Sequence, residues 1–142
     1  MKKLILLSLS GFALMLTGCK NDTVEDVKSP EIVMEQPLDG EKFAPGDEFH
    51  IEIMLTDDVE LNSCIVEIMP QGVKSGAQVD ESWQYSRTFN CAGMQTTNIH
   101  EHVDIPDSIN NTAVTPGLYT FSATCTDKAG NHVKETVVFT IQ

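Results

Sequence analysis

Apolar and polar residues alternate along several short stretches after residue 30, which is the pattern of half-buried β-strands. In the clearest stretch every second residue is apolar, and these positions are Phe49, Ile51, Ile53 and Leu55. The positions between them carry His50, Glu52 and Met54. We expect the first set to point into a core and the second set to point outward.

Six further stretches predict strands of the same kind. They cover residues 32–35, 63–70, 82–89, 97–106, 116–127 and 132–142. Turns that contain proline or glycine separate them, and the longest connection is a polar loop at 71–81. No helical apolar period persists beyond the N-terminal segment. The pattern predicts an all-β chain with an immunoglobulin-like antiparallel β-sandwich of about seven strands, and a small barrel is the alternative.

One position breaks the alternation of the strand at 97–106. Ile99, Val103 and Ile105 are expected to point inward, and Glu101 falls on the same side of the strand. Either a β-bulge intervenes, or the first half of this strand is only marginally buried.

The N-terminal segment has the features of a bacterial lipoprotein leader. Lys2 and Lys3 precede an apolar run of 13 residues, Leu4 to Leu16. Because about 20 residues are needed to cross a bilayer, this run is typical of a signal-peptide core. It ends in the sequence LTGC, which resembles a lipobox, so Cys19 is the predicted lipidation site.

The chain therefore has three predicted parts: a lipoprotein signal peptide at 1–18, a flexible tether at 19–29 and the sandwich domain at 30–142. The tether is polar and lacks apolar periodicity. Lys20, rather than an aspartate, follows the lipidated cysteine, so the usual signal for retention in the inner membrane is missing. The expected location is the outer membrane, on its periplasmic face or at the cell surface, with the membrane as a partner through the lipid.

The charge of the chain excludes one class of partner. The formal net charge is −12, and removal of Lys2 and Lys3 with the leader makes it −14. A domain this acidic repels nucleic acid and attracts cations. Nucleic-acid binding is therefore not expected.

Three cysteines remain once Cys19 is lipidated, namely Cys64, Cys91 and Cys125. Outside the cytoplasm one disulfide can form among them and one thiol is left over, and the spacing does not decide the pairing. The interpretation that we favour is that Cys64 and Cys125 are small buried apolar residues without a bond.

Three segments in this order resemble a known family. They are Pro30 to Leu61, Ile99 to Pro106 and Pro116 to Asn131. Together they are similar to the lipoproteins numbered 4625 among domains of unknown function. The resemblance implies a bacterial surface or periplasmic lipoprotein with an immunoglobulin-like sandwich, and it implies no established activity.

The histidines are the first candidate site. His100 and His102 lie two apart on one strand, so their side chains point the same way about 6.6 Å apart. In an immunoglobulin-like sandwich the second and fifth main strands are antiparallel neighbours, which brings His50 near His102 and Asp104. Histidine nitrogens with one carboxylate suit zinc, copper or iron. The alternative is a polar outer face that binds nothing.

The acidic loops are the second candidate site. They carry Asp57, Asp58 and Glu60 in one turn and Asp127 and Asn131 in another. Both turns are expected at the same end of the sandwich, where their oxygens could hold calcium. The alternative is that these residues serve only as turn formers.

Two short motifs, Asp22 to Val24 and Asp107 to Ile109, resemble the O-glycosylation motif of certain Gram-negative anaerobes. They make Thr23 and Ser108 candidate glycosylation sites.

Signatures of enzymes are absent from the sequence. It has no GxSxG, HExxH or GxGxxG motif and no phosphate-binding glycine loop. We therefore expect a non-catalytic binding or accessory module whose partner is an outer-membrane receptor complex, a glycan or another protein. The alternative is a metal-binding accessory lipoprotein for metal or haem-iron uptake, which uses the histidines and a divalent metal ion. No other cofactor is expected.

Overall fold

The computed structural model describes residues 25–72 and 82–142. The predicted leader at 1–18, the predicted lipidation site Cys19 and the candidate glycosylation site Thr23 lie outside the described residues. Most of the polar loop predicted at 71–81 lies outside them as well. Within the described ranges, no helix has the length and apolar character needed to cross a membrane.

The described chain is built from β-strands. In chain order they are β1 (Glu31–Gln36), β2 (Lys42–Phe43), β3 (Glu48–Thr56), β4 (Leu61–Pro70), β5 (Tyr85–Asn90), β6 (Thr96–Asp104), β7 (Ser108–Ile109), β8 (Thr112–Ala113), β9 (Gly117–Asp127) and β10 (His132–Ile141). The seven long strands correspond to the seven stretches predicted from alternation. The remaining three strands have two residues each.

Two sheets form a sandwich. One sheet has the strand order β1-β3-β6, and the other has the order β2-β10-β9-β4-β5. The inner faces of both sheets meet in one core, where the ring of Phe49 from β3 contacts Phe121 of β9 and Phe139 of β10. The prediction of an immunoglobulin-like antiparallel sandwich is confirmed.

Tyr119 near the start of β9 adds a feature typical of immunoglobulin-like sandwiches. Its ring is buried, and its hydroxyl donates a hydrogen bond of 2.7 Å to the carbonyl oxygen of Thr115. A tyrosine that bonds back to the chain a few residues upstream forms the tyrosine corner of such domains. The contact ties the incoming loop to the strand that follows it.

Glu101 occupies an inward position without a bulge. The pairing of β3 with β6 is continuous from Glu48 opposite Asp104 to Thr56 opposite Thr96, so the bulge alternative is wrong. The Glu101 carboxylate forms an ion pair with Arg87 of β5 in the opposite sheet. Glu101 lies on an edge strand and its side chain is only partly buried, so the carboxylate can stay charged.

Cys64 of β4 and Cys125 of β9 lie directly opposite each other and form a disulfide, with both side chains fully buried. The favoured interpretation of Cys64 and Cys125 as apolar residues without a bond is therefore wrong. The bond joins neighbouring strands of one sheet rather than the two sheets. Cys91 is the free cysteine among the described residues, and it is buried.

Candidate functional site

The outer face of the three-stranded sheet carries a row of polar cross-strand pairs. Alternation sends every second residue of β3 outward, and the antiparallel register sets each of them against an outward residue of β6. The pairs are Glu48 with Asp104, His50 with His102, and Glu52 with His100. Three of the four histidines of the chain thus lie on one small area of the surface.

We call His50, His100 and His102 the histidine cluster. Nε2 of His50 lies 3.3 Å from Nδ1 of His100, and Nε2 of His100 lies 3.0 Å from Nε2 of His102. The rings of His50 and His102 are stacked with their centroids 4.6 Å apart. One nitrogen from each ring lies within 4.8 Å of the other two. Such a set of nitrogens can bind a single metal ion.

Two glutamates, rather than the predicted Asp104, stand beside the histidine cluster. Oε1 of Glu48 is 2.7 Å from Nδ1 of His102. The carboxylate of Glu52 lies 4.0 Å from Nε2 of His50 and 4.0 Å from Nδ1 of His100. Asp104 shares the face but has no hydrogen bond or ion pair with a histidine in the described parts of the chain. Glu52 is therefore the carboxylate placed to share an ion with two rings.

Sequence reasoning missed Glu48 and Glu52 as members of the site, although a signal was present. Both have the same outward parity as His50, two residues before it and two residues after it. Parity shows which residues share a face. It does not show which carboxylate reaches a given ring, because that depends on the register with β6.

The acidic loops meet at the opposite end of β3, as predicted, but most of their oxygens have partners. The Asp127 carboxylate is buried and accepts hydrogen bonds from the backbone N–H groups of Gly130 and Asn131 and from Nδ2 of Asn131. Glu60 accepts hydrogen bonds from Lys128 Nζ at 2.7 Å and from the backbone of Gly93 at 3.1 Å. The hydrogen bond from Lys128 is the main cause that lowers the pKa of the Glu60 carboxyl.

Asp57 and Asp58 take part in a second group of oxygens beside this arrangement. One carboxylate oxygen from each, together with one from Asp26, falls within a group whose members are within 4.8 Å of one another. Oδ2 of Asp57 accepts hydrogen bonds from the backbone of Val59 and Glu60, which is the behaviour of a turn former. The group of oxygens differs from the predicted calcium set, and calcium binding by Asp57 and Asp58 stays a prediction.

Ser108 lies on β7, which forms a two-residue hairpin with β8. Its side chain is exposed, and Asn110 and Asn111 at the turn both have positive φ, as a type I′ hairpin requires. Glycosylation of Ser108 stays a prediction.

Comparisons with known proteins identify the family of this chain. The model of the family described as Domain of unknown function (DUF4625) matches residues 17–142. A fibronectin(III)-like module of CbhA from Clostridium thermocellum is similar in structure, with a TM-score of 0.38 and 16% sequence identity. That match covers 78% of this chain and 94% of the other chain. No curated protein matches the sequence.

Proposed function

We propose that this chain, which belongs to the DUF4625 family, is a lipid-anchored lipoprotein of the outer membrane that acts as a non-catalytic binding module. Its proposed ligand is a divalent transition metal ion, bound by the histidine cluster. The observation that carries the proposal is the convergence of three ring nitrogens within 4.8 Å. Such a module would serve the uptake of metal or haem iron. Its partner would be a receptor complex, a glycan or another protein.

The arrangement of the rings favours a metal site over a merely polar surface. A polar outer face needs hydrophilic side chains, but it does not need their nitrogens to face one another. Here the ring nitrogens of His50, His100 and His102 approach to between 3.0 and 3.3 Å along the row. Two carboxylates flank them, and the net charge of −12 favours the approach of cations.

The access of the histidine cluster to solvent supports exchangeable binding. The side chains of His100 and His102 are 56% and 47% exposed, and that of His50 is 34% exposed. An ion bound there would keep coordination positions open to solvent or to a partner. Structural zinc sites are closed in contrast, so this geometry favours delivery or capture of an ion over stabilisation of the fold.

The state of Cys91 supports a non-catalytic role. Burial raises the pKa of its thiol, and the sulfur donates a long hydrogen bond of 3.8 Å to the carbonyl oxygen of Phe89. A nucleophilic cysteine needs the opposite, namely a lowered pKa and an adjacent base. Cys91 is therefore a poor nucleophile for a Cys-His pair.

The proposed anchor fits the position of the histidine cluster. Asn131 Nδ2 donates to the carbonyl oxygen of Asp26, so the start of the described chain lies at the end of the sandwich with the acidic loops. Seven residues from Cys19 to Asp26 reach at most about 25 Å. His50 lies seven residues along β3 from Asp57, which is about 23 Å farther from that end. The histidine cluster therefore lies near the end of the sandwich that is opposite to the point where the proposed tether joins the domain.

Calorimetric titration tests the metal ligand. The full-length lipoprotein, extracted in detergent and freed of metal with a chelator, is titrated with Zn²⁺ and with Cu²⁺. We expect a micromolar dissociation constant that rises at least 100-fold when His50→Ala and His100→Ala are combined. His132→Ala is the matched control, because His132 is exposed on β10 in the other sheet. Equal weak binding by the wild type and the double variant would refute the proposal.

Membrane fractionation tests the anchor. Cys19→Ser should move the protein from the membrane fraction to the soluble fraction, since the serine hydroxyl cannot take the thioether-linked lipid. Unchanged fractionation of this variant would show that the lipid is not the anchor.

A further inference from the structure

A row of hydrogen-bonding distances connects the histidine cluster to Glu48. Oε1 of Glu48 is 2.7 Å from Nδ1 of His102, Nε2 of His102 is 3.0 Å from Nε2 of His100, and Nδ1 of His100 is 3.3 Å from Nε2 of His50. A hydrogen bond at each of these three distances requires one proton between the two atoms. A neutral imidazole has only one N–H, so the first hydrogen bond determines the tautomers of all the rings that follow.

The carboxylate of Glu48 is the first member of this row of hydrogen bonds, because a carboxylate only accepts hydrogen bonds. His102 therefore carries its proton on Nδ1 and donates it to Glu48, which leaves Nε2 of His102 as an acceptor. That acceptor takes the Nε2–H of His100. The remaining lone pair of His100 is on Nδ1, and it faces away from His102.

Nδ1 of His100 faces both His50 and Glu52. Its distance to Nε2 of His50 is 3.3 Å, and each of these two nitrogens lies 4.0 Å from an oxygen of Glu52. Ligand atoms in a tetrahedral zinc site with bonds of 2.0 to 2.1 Å are about 3.3 to 3.4 Å apart. The two nitrogens already have this spacing, and a small change in the Glu52 side chain supplies the third ligand.

His102 is placed differently from the other two rings. Its Nε2 is occupied by the hydrogen bond from His100, and its Nδ1 is occupied by Glu48. Metal-bound histidines commonly have a second hydrogen-bonding group that holds the ring in one orientation and tautomer. Glu48 and His102 stand in that relation to His100.

We propose that the metal ion is held by Nε2 of His50, Nδ1 of His100 and the carboxylate of Glu52. In this assignment His102 and Glu48 are positioning residues, which hold the His100 ring with Nδ1 toward the ion. This assignment rests on the proposed metal-binding function and divides its three histidines into two ligands and one support. On binding, the ion replaces the proton between His50 and His100. That proton leaves Nε2 of His50 for solvent, and Nδ1 of His50 takes a proton from solvent, so the charge on the ring is unchanged.

Nitrogen-15 NMR of the metal-free full-length protein tests the supporting half of the assignment. We expect His102 to carry its proton on Nδ1 and His100 to carry its proton on Nε2. Glu48→Gln should keep the His102 tautomer, because the amide oxygen still accepts a hydrogen bond, and Glu48→Ala should yield a mixture. A proton on Nε2 of His102 in the wild type would overturn the assignment.

Pulsed electron paramagnetic resonance of the Cu²⁺-loaded protein tests the ligand half, because the remote ring nitrogens report the number of bound imidazoles. We expect two imidazoles in the wild type and in His102→Gln. In titration, His102→Gln and Glu48→Ala should raise the dissociation constant about 10- to 100-fold. Glu52→Gln should raise it more than 100-fold, and Asp104→Asn, on the same face, should leave it unchanged.

The outcomes separate this assignment from the function on which it rests. Three bound imidazoles, or an effect of His102→Gln as large as that of His50→Ala, would overturn the assignment and leave metal binding intact. No binding of Zn²⁺ or Cu²⁺ by the wild type would overturn both. In that case the tautomer measurement still shows whether the hydrogen-bonded row exists.

Discussion

Replacing Asp127 with alanine should strongly destabilise the sandwich, although Asp127 lies in a turn. The residue is 1% exposed, and its carboxylate accepts three hydrogen bonds of 2.7, 2.8 and 2.8 Å from Gly130 and Asn131. Gly130 has a φ of +96°, a left-handed conformation that these bonds help to hold. Alanine removes this carboxylate acceptor, at a cost of about 1 kcal/mol for each of the three hydrogen bonds lost. We expect the free energy of unfolding to fall by about 3 kcal/mol.

Urea denaturation and thermal melts of the wild type and the variants measure this loss. For a domain of this size a loss of about 3 kcal/mol lowers the melting temperature by about 10 to 15 °C. Asp127→Asn keeps an oxygen for the two backbone donors and loses only the bond from the Asn131 side chain, so it should lose about 1 kcal/mol. Asp58→Ala, an exposed residue of the neighbouring turn, is the control and should change stability by less than about 0.5 kcal/mol.

Two results would refute this reasoning. One is a stability of Asp127→Ala within about 0.5 kcal/mol of the wild type, because buried acceptors of three hydrogen bonds do not behave in that way. The other is a melting temperature that rises with millimolar calcium in the wild type but not in Asp127→Asn. That second result would show that the carboxylate is a calcium ligand, as the sequence allowed, rather than a turn former.

Two further predictions concern the covalent link and the charges of the loops. Replacing both Cys64 and Cys125 with alanine removes a crosslink between residues 61 positions apart. Denaturation should therefore show that the free energy of unfolding falls by about 4 kcal/mol. A fall of less than about 1 kcal/mol would contradict this prediction. Lys128→Met should raise the pKa of the Glu60 carboxyl in an NMR titration, since the hydrogen bond from Lys128 is the main cause of its lowering. The stabilisation from this pair is present above the ordinary pKa of glutamate and is lost as the pH falls through the lowered value, so an unchanged Glu60 titration would refute the role of Lys128.

Alternation along the chain was enough to predict which faces of the strands are buried. Phe49, Ile51, Ile53 and Leu55 are all fully buried, as their spacing predicted. The reason is local: successive side chains of an extended backbone point to opposite sides whatever the strand pairs with. Together with the family resemblance, this local rule was sufficient for the fold class.

The histidine cluster was predictable only in part. The resemblance to an immunoglobulin-like sandwich implied that the strands of His50 and His102 are neighbours, and the two residues lie directly opposite each other. The contacts of Glu48 and Glu52 were not predicted, because they depend on register and on side-chain direction. A shift of one residue in register would send these side chains to other neighbours.

Contacts between distant parts of the chain were beyond the reach of the pattern. The pairing of Cys64 with Cys125 follows from the register of β4 with β9, and the spacing of the cysteines left it open. Glu101 breaks the apolar alternation of its strand, and only the tertiary structure shows its ion pair with Arg87 of the opposite sheet. Such contacts are made between residues far apart in sequence, and no local period reports on them.

The sequence by itself therefore determined the strands, their buried faces, the acidic charge and the outward direction of the histidines. These properties follow from backbone geometry and composition, which each segment carries on its own. Only the tertiary structure decided which carboxylates meet which rings, which cysteines are bonded and which acidic side chain is buried in a turn. Those outcomes depend on the register and packing of whole strands, where a displacement of a few ångströms replaces one partner with another.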